Sequence, residues 1–189
     1  MIDPTKITNF KRTEAQLQEF LLFCIVVAGK SSFQQAKKLE EFLNFGGDEY
    51  KPFEKVRFLH AVVRLIPRLR EVKMGQYNRI SKAFRSVVKY KGSLKKITLE
   101  ELEPMVGMKT ARFFLVHSRP NQTLAVLDRH ILAEMRAWGY DVPKDTPTST
   151  KRYHDIEKCY LRCLERMGIT NVAEFDLNVW KNRARKTIA

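Results

Sequence analysis

The chain has 189 residues, 44% of them hydrophobic, with only 8 Gly and 7 Pro. That is enough apolar material for one sizeable core or two small lobes sharing a cleft, and it excludes a disordered tail. Lys and Arg number 35 against 21 Asp and Glu, a formal net charge of +14. Such an excess favours a polyanionic partner, nucleic acid or an anionic membrane surface, although a basic protein without one stays open.

Taken in chain order, Thr13-Glu14-Ala15-Gln16 is a capping box that opens a helix, and the apolar run 20–28 lies within it. The run is too short to cross a bilayer, and no signal-peptide layout stands at the N-terminus. A buried central helix and no membrane are therefore expected. Ser32-Phe33-Gln34-Gln35 reads as a second capping box, its helix running to about Phe45 and stopping at Gly46-Gly47. After Pro52, Phe53, Val56, Leu59, Ala61, Val62 and Val63 keep helical spacing as far as Pro67. Ile80, Phe84, Val87 and Val88 continue it to Gly92, and Thr98-Leu99-Glu100-Glu101 opens a short capped helix. Later helices are expected over 129–138, 151–167 and 172–183. The brief stretch 123–127 is the one place with strand-like alternation, so the fold class is all-α.

Cys24, Cys159 and Cys163 are too few and too scattered for a disulfide framework, which points to an intracellular compartment: cytoplasm or nucleoid, or the nucleus in a eukaryote. Cys159 and Cys163 are four apart on one helix face, where core packing accounts for them better than metal ligation. No four-cysteine iron–sulfur site can be built, and no metal is expected. Between Ala61 and Ile97 eleven Lys and Arg stand against one acid, Glu71. A solvated helical face explains part of that excess; a surface tracking phosphates explains the near absence of acids.

The segment 99–130 carries the chemistry. A short capped helix is expected to end at Pro104, followed by Met105-Val106-Gly107-Met108 and a second helix beginning near Lys109. Two helices joined by a tight glycine turn aim backbone N–H groups and a helix N-terminus outward, a site for a phosphate oxygen that reads no base sequence. An ordinary helical hairpin would look the same. Further on comes Ala125-Val126-Leu127-Asp128-Arg129-His130, with Asp128 19 residues after Lys109. Asp128 suits the N-cap of the helix starting at Arg129, and a capping carboxylate is also held rigidly enough for catalysis. Composition alone leaves Lys109 a surface lysine.

Residues 102–132 resemble the helix-hairpin-helix and Gly/Pro-rich-loop-to-Asp signature of the base-excision DNA glycosylase superfamily. Lys109 matches the lysine of its bifunctional members and Asp128 the aspartate that ends the loop. The 19-residue interval and Leu127-Asp128-Arg129-His130 resemble the short archaeal-type 8-oxoguanine glycosylase/AP lyases more than endonuclease III, and the missing cysteine cluster agrees. The segment 20–33, with Cys24, Ala28, Ser31 and Ser32, is similar to the family's early buried helix and the loop that approaches the lesion. One departure stands out: Met105 replaces the first of the hairpin's two usual glycines, leaving Gly107.

The resemblance implies a lesion base rotated out of the duplex, attack by the Lys109 amine on the sugar, a Schiff base, and strand cleavage by β-elimination. Asp128 would stabilise positive charge on the sugar. Val106, Gly107, Arg129, His130 and Lys30 are the candidate DNA contacts, and Ser31, Phe33 and Trp180 the candidate base pocket. Core packing is the competing explanation for Trp180, Phe33, Phe113 and Phe114; Trp180 is the preferred stacking partner. The implied architecture is two helical lobes with DNA in the cleft between them. One would span 29–127 with the hairpin at about 98–117; the other would join 1–28 to 128–189. The expected partner is double-stranded DNA carrying a damaged base, bound by a monomer that needs no cofactor, apart from a monovalent cation the hairpin carbonyls could hold. A glycosylase for another oxidised or alkylated base, and a non-catalytic helix-hairpin-helix DNA-binding module, are the alternatives.

Overall fold

The structure, a computed structural model, describes residues 2–47 and 49–186. Every regular element among the described residues is helical: a 3-10 turn at Pro4–Lys6, then α1 (Glu14–Val27), α2 (Ser32–Leu43), α3 (Pro52–Ala61), α4 (Leu65–Glu71), α5 (Tyr77–Val87), α6 (Leu99–Val106), α7 (Met108–Ser118), α8 (Arg129–Ala137), α9 (Thr150–Arg166) and α10 (Val172–Lys186). The fold is all-α. None of these helices is long and apolar enough to cross a membrane. Contacts group the chain into two compact units, Met1–Ile7 with Lys11–Thr110 and Thr8–Phe10 with Ala111–Ala189, and the division falls inside α7.

The first unit is organised around α1. Thr13 caps it with the capping box expected from the sequence. Phe20 through Val26 are all buried, so the helix needs partners on every side. It finds them in α2, α3 and α5. That is why residues 11–28 fall in the first unit, a different division from lobes split at 28 and 127. In α2 the N-cap is Ser31, not Ser32, and its side chain makes no capping bond. The helix stops at Leu43, short of Gly46-Gly47. Its buried face, Gln35, Ala36, Leu39 and Phe42, reaches α5, where Phe42 meets the Phe84 ring edge-on at 5.7 Å.

The helical spacing from Phe53 to Pro67 does not make one helix. The chain breaks at Val63, whose φ of 56° lies in the left-handed region, and α4 starts afresh. Pro67 is then the third residue of α4, where a backbone N–H would have no partner within the helix anyway. The first bond of the new turn runs from Arg68 N to Arg64 O at 2.9 Å.

In the second unit, α8 packs on α10 and is tied to it by Arg183, which donates twice to Glu134 Oε2 at 2.6 and 2.9 Å. Tyr153 and Tyr160 of α9 are fully buried, and Trp138 stacks on Tyr160 with centroids 6.0 Å apart. Val116, Val126 and Ala173 form a cluster on which Phe113 and Leu124 pack. The stretch 123–127 forms no strand.

Candidate functional site

In the first unit the hairpin is built from its capping box. Thr98 N donates to Glu101 Oε2 at 2.8 Å, and Glu101 N donates back to Thr98 Oγ1 at 3.3 Å. The helix does not end at Pro104: proline sits inside α6, which runs on to Val106. Met105 in place of a glycine favours that continuation, because it costs less backbone entropy in a helix. The turn is therefore a single residue. Gly107 takes φ 87° and ψ 159°, a conformation open to glycine and strained for any other residue, and its N–H closes on Glu103 O at 2.8 Å. α7 starts at the next residue, so Lys109 is its second. The Lys109 side chain is half-buried, Val106 is half-buried and Gly107 is exposed.

The remaining first-unit candidates lie around the end of α1. Lys30 Nζ donates to Met74 O at 2.5 Å. Burial, then the neighbouring Arg79 and Lys38, draw its pKa down. Arg79 donates to Ile25 O at 2.9 Å, and burial lowers it too. Ser31 is exposed. Phe33 is 54% exposed and so does not belong to the core, whereas Phe114 is fully buried. Of the eleven Lys and Arg between 61 and 97, all but the half-buried Arg68 are exposed, and the single acid Glu71 is taken up by Arg64 (2.7 Å) and Arg68 (3.2 Å).

In the second unit Asp128 caps α8 as the sequence indicated. Its Oδ1 accepts from His130 N at 2.8 Å and Ile131 N at 2.9 Å. Arg129 is exposed and donates from Nε to His130 Nε2 at 3.4 Å. Trp180 is half-buried on α10. Behind Asp128 lies a group that sequence inspection missed. Asp176 of α10 is buried and accepts from Tyr160 Oη at 2.6 Å, while its Oδ2 finds no partner. Burial, and then the negative charge of Asp128, push its pKa up to about 8, against the pull of the Tyr160 hydroxyl and the Val126 N–H. The Tyr160 phenol is raised as well, by burial and by the carboxyl it faces.

Glu157 was missed in the same way. Its carboxylate takes Arg112 Nε at 2.7 Å and Arg112 Nη2 at 3.1 Å, and Arg112 lies over the Tyr153 ring at 4.7 Å. A signal for it existed: Tyr153, Ile156, Glu157, Tyr160, Cys163 and Leu164 form one buried helical stripe, and an acid in phase with such a stripe must have a buried partner. Cys163 sits on that stripe, 3.0 Å from the Tyr140 hydroxyl, and Cys24, Cys159 and Cys163 are all free thiols.

Set beside known proteins, the chain is similar over 96% of its length to the crystal structure of Methanocaldococcus jannaschii 8-oxoguanine glycosylase/lyase in complex with 15mer DNA containing 8-oxoguanine. The likeness covers 87% of that chain at 21% identity with a TM-score of 0.68, which establishes the shared helical fold. The 8-oxoguanine DNA glycosylase pattern with its helix-hairpin-helix (Ogg-HhH) matches residues 3–169, taking in the hairpin, Lys109 and Asp128. The chain belongs to the 8-oxoguanine DNA glycosylase family.

Proposed function

We propose that this protein excises 8-oxoguanine from duplex DNA and then cleaves the strand, with Lys109 as nucleophile and Asp128 as its partner carboxylate. The observation that carries this is the family match over 3–169, within which Lys109 stands just past a glycine turn and Asp128 on a helix cap. The hairpin N–H groups around Val106 and Gly107, with Arg129, His130, Lys30 and the exposed basic face, hold phosphates of the duplex. The lesion nucleotide is rotated out at a cost of about a few kcal/mol. Ser31, Phe33 and Trp180 then contact the base.

Lys109 Nζ, as a free amine, bonds to the anomeric carbon. The bond from that carbon to the base breaks, and the base leaves with the electron pair and takes up a proton. Asp128 stabilises the positive charge that builds on the sugar. Opening of the sugar ring gives the Schiff base. Loss of a proton from C2′ then expels the 3′ phosphate, and water releases Lys109. No cofactor takes part. The carbonyl oxygens that α6 leaves before Gly107 are the kind that hold a monovalent cation, which would add to the attraction for phosphate. The protein works as a monomer.

Oxidation gives guanine an N7–H donor in place of an acceptor. One acceptor in the pocket therefore discriminates by roughly 1–3 kcal/mol, about ten- to a hundredfold. A carbonyl of the loop 29–32 or a group of α10 would serve. The test is single-turnover excision from matched duplexes carrying 8-oxoguanine, thymine glycol, 3-methyladenine or uracil. Release should be fastest from 8-oxoguanine. Faster release of another base would move the specificity, and no release or cleavage from any would leave a DNA-binding module.

A further inference from the structure

The three residues ahead of Asp128 are buried and belong to no helix or strand. Buried backbone polar groups need partners, and five of the six here can be followed to one. Ala125 N donates to Glu157 Oε1 at 2.9 Å, and Ala125 O accepts from Tyr153 Oη at 2.9 Å. Val126 O accepts from Asp128 N at 2.6 Å, which closes a tight turn at Leu127. Leu127 N donates to Tyr153 Oη at 3.1 Å, and Leu127 O accepts from Thr146 Oγ1 at 2.7 Å. Five of the six groups are held in this way, and four of the five bonds are to side chains.

One hydroxyl does two of these jobs. Tyr153 Oη donates to one residue and accepts from another two positions on, which fixes the pitch of the segment between them. Glu157 is itself locked by the buried Arg112, 1% exposed. Stability alone gives no reason for that arrangement, since a buried ion pair can usually be exchanged for apolar residues at little cost. What it supplies is a backbone with no freedom to drift, ending on Asp128.

We infer that Tyr153, Glu157 and Thr146 are positioning residues for Asp128, holding the backbone of 125–127 so that the carboxylate stands where charge develops as the base leaves. The inference rests on the role proposed for Asp128. The step it serves is base release alone. An abasic site has already lost its base, so strand scission there asks for the Lys109 amine and not for the placement of Asp128.

The experiment compares two rates in the full chain: single-turnover base release from an 8-oxoguanine duplex, and strand scission of a duplex with a preformed abasic site. Tyr153→Phe removes both bonds and keeps the ring. Thr146→Val removes one bond at a half-buried position and preserves shape, so it decides the matter if Tyr153→Phe fails to fold. Displacements on the order of 1 Å cost about a hundredfold in a positioned site, so base release should fall roughly 10- to 100-fold for Tyr153→Phe. Thr146→Val should lose less, and Thr146→Ser should restore the wild-type rate. Abasic-site scission and duplex affinity should barely change. Equal losses in both steps, tracking the folded fraction, would overturn the inference, as would undiminished base release in both variants. A wild-type protein that cleaves abasic sites but releases no base would overturn the proposed function instead.

Discussion

Asp128→Asn separates the helix cap this carboxylate forms from the catalytic role proposed for it. As a cap, Oδ1 accepts from two backbone N–H groups, at 2.8 and 2.9 Å. Asparagine keeps an oxygen in that place and caps as well as aspartate, whereas alanine would cost about 0.5–2 kcal/mol. The Asn variant gives up the attraction of a negative charge to the helix N-terminus, about 0.3–1 kcal/mol. It regains part of that, because the Asp128 charge also bears on the buried Asp176. The net change is at most about 1 kcal/mol, or roughly 2–4 °C in Tm for a chain of this size. On the role proposed for Asp128, the transition state by contrast loses a fixed charge aimed at a developing cation. Removal of a preorganised group of that kind costs about 2.7–4 kcal/mol, a hundred- to a thousandfold in rate. Single-turnover base release and thermal melting, measured on one preparation, should therefore diverge: a rate down by orders of magnitude and a Tm almost unmoved. Near-normal release by the Asn variant would reduce Asp128 to a helix cap.

Three further outcomes are expected. In Gly107→Ala an added Cβ would meet no neighbouring atom within 4 Å, so only the backbone conformation is penalised, by about 1–3 kcal/mol; duplex affinity by fluorescence anisotropy should fall more than Tm, and unchanged affinity would remove the hairpin from DNA binding. Glu157→Ala strands Arg112 in the interior, which should cost about 3–5 kcal/mol in urea unfolding, and a loss under 1 kcal/mol would mean that Arg112 finds water. Asp176 keeps its proton up to about pH 8 when folded and loses it near 3.8 when unfolded, so its contribution to stability is complete below about pH 4 and is lost as pH rises towards 8. Asp176→Asn cannot titrate, and its Tm should fall less steeply than wild type between pH 5 and 8; parallel curves would show that Asp176 titrates normally.

Local signals survived folding where their chemistry was complete within a few residues. Thr13 and Thr98 cap with the Gln or Glu three positions on, and Asp128 with the two N–H groups that follow it, although Ser32 with Gln35 in the same register does not. The apolar run of α1 could only be a central helix. Proline was the misleading residue. Pro104 and Pro67 both sit inside helices, one past its first turns and the other within a first turn that needs no N–H. The alternation at 123–127 suggested a strand, but strand pairing is only one way to satisfy a buried backbone, and here Tyr153 and Glu157 of α9, with Thr146 in the loop before it, do most of it. Those partners were hidden by distance along the chain. Glu157 lies 45 residues from Arg112 and 32 from Ala125, and nothing near it in sequence says which charges it will meet. The glycine turn before Lys109 and the cap at Asp128 were legible for the opposite reason: both are short-range structures.

The central claim is that Lys109 forms the covalent bond to DNA. Wild type and Lys109→Gln should be incubated with an 8-oxoguanine duplex in the presence of borohydride, which reduces a Schiff base to a stable amine. Wild type should give a protein–DNA adduct whose peptide map carries the sugar remnant on Lys109. The variant should give none while still binding the duplex, since one amine is a small part of the phosphate contact. An adduct formed by Lys109→Gln at the wild-type rate, or a wild-type adduct mapped to another residue, would contradict the assignment.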